Sequence, residues 1–315
     1  MLNHASFELI RSLVERHDAL RVKAERIAEA TVIDAGIHVP GSLAAGLLVA
    51  RICLGDQANV SLSPEDPDRF AADVAVIVST DAPLQACLGG QYAGWPISAG
   101  KYFAMGSGPM RMVRGREEML IELALRESSD VVAGVLESTE LPTTEAIELI
   151  AADTCTVAKK VGVVVAPSGS LVGSIQVVAR SVETAMHKLH ALGFDVRTIF
   201  SAVGIAPVPP PAKPKDVVGG IGRTNDAILY GGRVTLWVDC EQSQIDDIIA
   251  SVPSSASKDY GRPFASIFKD CGYDFYRVDP HLFCPAVVML INRRSGIARR
   301  VGTVNTDVLR QSFFA

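Results

Sequence analysis

Arg180 and Glu183 stand three residues apart in Arg180-Ser181-Val182-Glu183, downstream of the apolar run Val161 to Ala166 and the turn Ala166-Pro167-Ser168-Gly169-Ser170. On a helix, residues i and i+3 share one face, so these opposite charges would meet in a segment otherwise too apolar to leave them freely solvated. Such a pair can hold and tune one water molecule. The bland reading is a surface salt bridge worth about 0–1 kcal/mol. Against it, Val172, Ile175, Val177 and Val178 cover several helical faces, so part of the element is expected to be buried, and a buried charge needs a reason. At this level both readings stand.

Three further segments carry groups able to bind a ligand. Gly94 to Arg111 concentrates glycine and serine beside Lys101 and Arg111; backbone N–H groups, Ser107 and a cation there suit a phosphate or carboxylate. An ordinary glycine-rich turn with Pro109 starting a helix explains it equally well. Ala166 to Ser170 lies between a buried strand and a helix, where open α/β sheets place ligands, yet no Gly-Lys-Ser/Thr follows, which disfavours a nucleoside triphosphate. Ser168 or Ser170 can also serve as a helix N-cap. Gly219 to Asp226 has the glycines of a dinucleotide fingerprint but follows a proline-rich loop instead of a strand; Thr224, Asn225 and Asp226 remain able to hydrogen-bond a polar heterocycle, or simply to form a turn.

Metal chemistry finds little support. The six cysteines are scattered without a CxxC spacing, and His187 with His190 form an i, i+3 pair lacking a third ligand, which reads as two histidines on a solvated helix face.

The elements that must position these groups alternate. Apolar positions from Phe7 to Ile27 predict one long amphipathic helix over about 3–31, and a second helix is expected over about 40–51. Strands are expected at 59–62, 72–79 and 131–136, then a helix starting at the threonines before Glu145. Val161 to Ala166 is the strongest central-strand signal, and the helix carrying Arg180 and Glu183 is expected to run to Leu192 and stop at Gly193. Pro207, Pro209, Pro210, Pro211 and Pro214 must lie in a connection, a lid or a domain crossing. Beyond it, β-hairpins are expected over 228–238, turning at Gly231-Gly232, and around 293–296.

The 315 residues suffice for two medium α/β domains, expected as 1–160 and 161–315, although a strand can return to the first from anywhere in the second. Hydrophobic residues make up 48% and the mean hydropathy is +0.25, which points either to deeply buried central strands or to an oligomer interface, the latter being expected. The formal net charge of −5 argues against a nucleic-acid partner, leaving Arg111, Arg114 and Arg116 as a local cluster for anions. No stretch reads as a membrane span or a signal peptide, so a cytoplasmic protein is expected.

Lys101-Tyr102-Phe103-Ala104-Met105-Gly106-Ser107-Gly108-Pro109, Gly173-Ser174-Ile175-Gln176 ahead of Arg180 to Glu183, Gly193-Phe194-Asp195, Gly204-Ile205-Ala206-Pro207 and Thr224-Asn225-Asp226 occur in one order over nearly the whole chain. Together they resemble the methenyltetrahydromethanopterin cyclohydrolases. The resemblance implies two α/β domains with mixed sheets and an interdomain pocket, a homotrimer, and no metal or other cofactor. It also implies a cytoplasmic hydrolase of one-carbon metabolism, such as formaldehyde oxidation in methylotrophy. Its substrate would be the N5,N10-methenyl cation of tetrahydromethanopterin or the dephospho form, opened by water to the N5-formyl compound.

On that resemblance Glu183 is the general base and Arg180 orients it, the arginine biasing its pKa downward and burial upward. Lys101 and Ser107 would bind an anionic or polar part of the tail, and Ser168, Ser170, Thr224, Asn225 and Asp226 would line the pterin side. The competing reading is a non-catalytic pterin- or phosphometabolite-binding protein. A folate cyclohydrolase is disfavoured, because its dinucleotide-binding architecture has no counterpart here.

Overall fold

The computed structural model describes residues 1–213 and 215–314; Pro214, part of the proline-rich stretch, lies outside them. The described residues form twelve strands. They are β1 (Lys23–Ile27), β2 (Ala30–Asp34), β3 (Asn59–Pro64), β4 (Val74–Thr80), β5 (Trp95–Ala99), β6 (Tyr102–Ser107), β7 (Val132–Glu137), β8 (Val161–Val165), β9 (Ile199–Pro207), β10 (Arg233–Val238), β11 (Val287–Asn292) and β12 (Ala298–Gly302). Helices are interleaved with them throughout, as an α/β fold requires.

The chain folds into two compact units, each built from two separate stretches. The first takes residues 1–58 and 85–176, the second residues 59–84 and those from Val177 onward. The chain therefore does not divide at residue 160, because β3 and β4 leave the first half to pair with β9 of the second. Hydrophobic pattern reveals strands; it does not say which sheet a strand joins.

The first unit holds a mixed sheet in the order β1-β2-β8-β7-β6-β5. β8 lies at its centre, parallel to both β2 and β7, and all five of its residues are buried. Its alternation sorts two cores. Val161, Val163 and Val165 pack with Val32, Ile147 and Ile150, under the Thr144–Asp153 helix. Val164 packs on the other side with Ile10, Leu13, Val49 and Ile52 of the Leu2–Glu15 and Leu43–Cys53 helices.

The single helix expected over about 3–31 is instead a helix to Glu15, a turn of helix to Leu20, and the β1–β2 hairpin. Arg21 breaks it in the left-handed region (φ 54), and Ala28 and Glu29 turn the hairpin at φ 48 and 69. The apolar residues after Leu20 fit either period; pairing of β2 with β8 decides for strand.

The second unit holds a mixed sheet in the order β12-β11-β10-β9-β4-β3. The hairpin around 293–296 is present as β11 and β12. The other expected hairpin is not: Ile228 to Tyr230 belong to the Val217–Gly231 helix, and β10 pairs with β9 and β11. Asp216 caps this helix through Gly219 N, so the glycines at 219, 220 and 222 are helical and form no loop. Arg223 on the same helix donates to the carbonyls of Pro210 and Pro211, which ties down part of the proline-rich connection.

Candidate active site

The segment bearing Arg180 and Glu183 is two helices. Leu171–Val178 ends, Ala179 and Arg180 turn, and Ser181–Ala191 begins with Arg180 as its N-cap (φ −83, ψ 5). The expected continuous helix is thus broken at Ala179 and Arg180, so the arginine caps the helix whose first turn carries Glu183. Backbone contacts fix this start: Arg180 N donates to Val177 O (2.9 Å), while Arg180 O accepts from Thr184 N and Thr184 Oγ1 (2.8 Å each). Gly204 on β9 is required beneath it, since a Cβ there would overlap Ser181 Oγ and approach a Val182 methyl to 2.8 Å.

Burial decides against an exposed salt bridge. Arg180 is 7% and Glu183 6% exposed, and Ser181 and Val182 between them are fully buried. Glu183 occupies the third position of its helix, where unpaired N–H groups and the helix dipole favour negative charge. Gly193 follows the helix in the left-handed region (φ 81), as its position predicted.

In the first unit, the turn after β8 is also built from small residues. Ser170 Oγ accepts from Gly173 N (3.0 Å) and donates to Pro167 O (2.8 Å), so it is the N-cap of the Leu171–Val178 helix. Ser168 is 5% exposed and its carbonyl accepts from Ser174 Oγ (3.4 Å). A side chain at Gly173 would collide with Pro167 O, so glycine permits the helix to close on the turn.

Beside this turn, at the carboxyl end of β2, lies a cluster that sequence reasoning missed. The fully buried Asp34 carboxylate accepts from the N–H groups of Gly36, Ile37 and His38, and lies 2.9 Å from His38 Nδ1. Its signal was present: an aspartate closing an apolar strand just before Ala35-Gly36. β2 and β8 are parallel neighbours, so both loops leave the same sheet edge, where α/β folds place ligands.

Lys101 and Ser107 are not brought together. Lys101 sits exposed in the β5–β6 turn, while Ser107 is buried at the far end of β6, about 20 Å away at strand rise. Ser107 Oγ lies 3.5 Å from Cys53 Sγ and 3.4 Å from Val135 O. Arg111, offered as an anion ligand, is fully buried and paired with Glu117. Arg114 and Arg116 both pair with Asp153, at 3.3 and 2.9 Å. The local cation cluster is thereby largely neutralised.

Thr224, Asn225 and Asp226 sit within a helix, and each bonds inside its own unit. Thr224 Oγ1 donates to Gly220 O (2.9 Å), Asn225 Nδ2 to Ile221 O (2.8 Å), and Asp226 Oδ1 accepts from Phe264 N (2.8 Å). Thr224 and Asp226 are buried; only Asn225 is partly accessible. Burial pushes the Asp226 carboxyl up to about 7, with Ser312 and Phe264 N opposing.

Among the described residues no group of three or more metal-ligating side chains gathers, and no helix is long and apolar enough to cross a membrane. The family model described as cyclohydrolase (MCH) matches residues 1–313. The chain belongs to the cyclohydrolase (MCH) family. It is 53% identical over 316 residues to a protein of Rhodopirellula baltica, covering 99% of this chain and 94% of that one. It is 41% identical to one of Methylobacillus flagellatus (99% and 95% covered) and 39% identical to one of Methanothermobacter thermautotrophicus (99% and 98% covered). All three are named methenyltetrahydromethanopterin cyclohydrolase.

Proposed function

We infer that this chain is a methenyltetrahydromethanopterin cyclohydrolase, a hydrolase that opens the N5,N10-methenyl cation of tetrahydromethanopterin with water. The full-length relationship to three proteins of that name carries the reading. The substrate carbon is an amidinium carbon and already electrophilic, so side chains and water suffice and no cofactor is assigned. Glu183 takes a proton as the water oxygen bonds to that carbon. The hydroxyl proton then leaves as the C=O forms, the carbon–N10 bond breaks and N10 gains a proton, so the N5-formyl product forms with net release of one of the two water protons. A carboxylate beside a cationic ring also attracts the substrate, and that attraction fades as the carbon is neutralised, which favours turnover.

Arg180 is assigned to orient Glu183. Ser168, Ser170 and the accessible Asn225 are assigned to the pterin, with Thr224 and Asp226 supporting Asn225 from within its helix. Exposed Lys101 suits an anionic tail group, and Ser107 supports the strand that carries it. A cytoplasmic homotrimer completes the proposal.

The test is the rate of loss of the methenyl chromophore with purified protein. Rapid loss with wild type and a fall of about 10²–10⁴-fold in Glu183→Gln establishes the assignment. Binding of the substrate without any loss in wild type refutes it in favour of a binding protein.

A further inference from the structure

The helix that begins with Arg180 carries a second set of titratable groups. Glu183, His187 and His190 recur at i, i+4 and i+7, so they rise along one face with neighbouring Cβ atoms about 5–6 Å apart. Accessibility is greater beyond Glu183. Glu183 is buried, while His187 and His190 are partly exposed. The other faces hold Val182, Ala185, Met186 and Leu189, all fully buried, and the helix packs on β9 and β10.

Competing charges are engaged elsewhere. Lys188 is pinned to His281, with Nζ 2.9 Å from its Nδ1 and 2.8 Å from its carbonyl oxygen. β9 has no titratable side chain, and Arg233 of β10 pairs with Glu65. In the turn at Val196–Thr198, also packed on this helix, Arg197 and Asp195 pair with each other at 2.7 Å.

The reaction inferred above releases one proton per turnover, first lodged on a carboxylate that is 6% exposed. We propose that His187 and His190 carry that proton from Glu183 along the helix face to solvent, as a relay distinct from the base itself. The step moves a proton only: Glu183 loses the one it took from water, a ring nitrogen of His187 gains it, His190 receives it next, and bulk water or buffer accepts it last. The inference rests on the assignment of Glu183. Burial, and then the neighbouring His190, hold the His187 imidazole below the usual histidine range, which keeps it neutral at rest and makes it give a proton up again once gained.

Stopped-flow turnover in dilute buffer and in rising imidazole tests the relay. In dilute buffer, His187→Gln is expected to lose about ten- to a hundredfold in kcat with KM kept, and added imidazole to restore it. His190→Gln is expected to show a smaller loss with the same buffer dependence. Wild-type kcat for His187→Gln in dilute buffer, or a loss that imidazole does not repair, overturns the relay. Should His187→Gln fail to fold, His190→Gln decides alone: no buffer-dependent loss refutes it. Glu183→Gln, inactive at every imidazole concentration, shows that the base is a separate requirement; its retention of wild-type turnover would instead sink the assignment of Glu183.

Discussion

Two buried arginines, one in each unit, make the most instructive contrast. Arg111 of the first unit is saturated: it pairs with Glu117, donates to the carbonyls of Gly89 (3.2 Å) and Gly90 (3.4 Å), and lies 5.0 Å over the Tyr92 ring. Those carbonyls end a π-helical stretch, Leu84–Gln91, so the guanidinium fastens an otherwise poorly closed turn. Arg180 of the second unit stands where backbone bonds from Val177 and Thr184, and the missing side chain of Gly204, already hold the helix start. The first arginine holds the fold through its side chain. At the second site backbone bonds and the close approach of Gly204 already fix the helix start.

The largest effect separating the two sites is expected from Glu183→Gln, which should abolish most turnover while the melting temperature stays near that of wild type. A large drop in melting temperature would place Glu183 with Arg111 as a structural group. Arg111→Met should do the reverse, costing about 3–5 kcal/mol in urea unfolding because the partly buried Glu117 and the carbonyls of Gly89 and Gly90 lose their partner. Near-normal stability in that variant would break the contrast from the other side.

Asp226 sharpens the same distinction through pH. Its carboxyl is raised from 3.8 to about 7 by burial, so between those values the folded state binds a proton that the unfolded state has lost. Stability should therefore fall as pH rises from about 4 to about 7, then level off. Asp226→Asn should flatten this slope in unfolding curves taken across that range; an unchanged slope would assign the dependence elsewhere. The smallest effect belongs to Ser170→Ala, expected to cost about 1 kcal/mol as a lost N-cap. A rise in KM beyond what that loss of stability explains would add substrate contact to its capping role.

Much of this architecture was legible because it is local. The charge-free run at 161–165 could only be a central strand, and Thr143 caps its helix by accepting from Ala146 N (3.2 Å), as the threonine pair predicted. Gly193 ends a helix where only a residue tolerant of positive φ is comfortable. That Lys101 and Ser107 stand apart was not legible, because nearness in sequence is not nearness in space and a strand separates its ends. The helix through Thr224 to Asp226 was not legible, because short polar side chains after glycines look like a turn, although an N-cap at Asp216 lets the glycines enter a helix.

By itself the sequence determined which residue types were available, the central strands, the spacing of Arg180 and Glu183, and, through ordered motifs, the family. Only the tertiary structure decided that β3 and β4 join the second unit, that Arg111 is consumed within the fold, and that the first turn bearing Glu183 is buried. The reason is physical: periodicity and capping act over a few residues, whereas burial and strand pairing depend on partners distant in the chain.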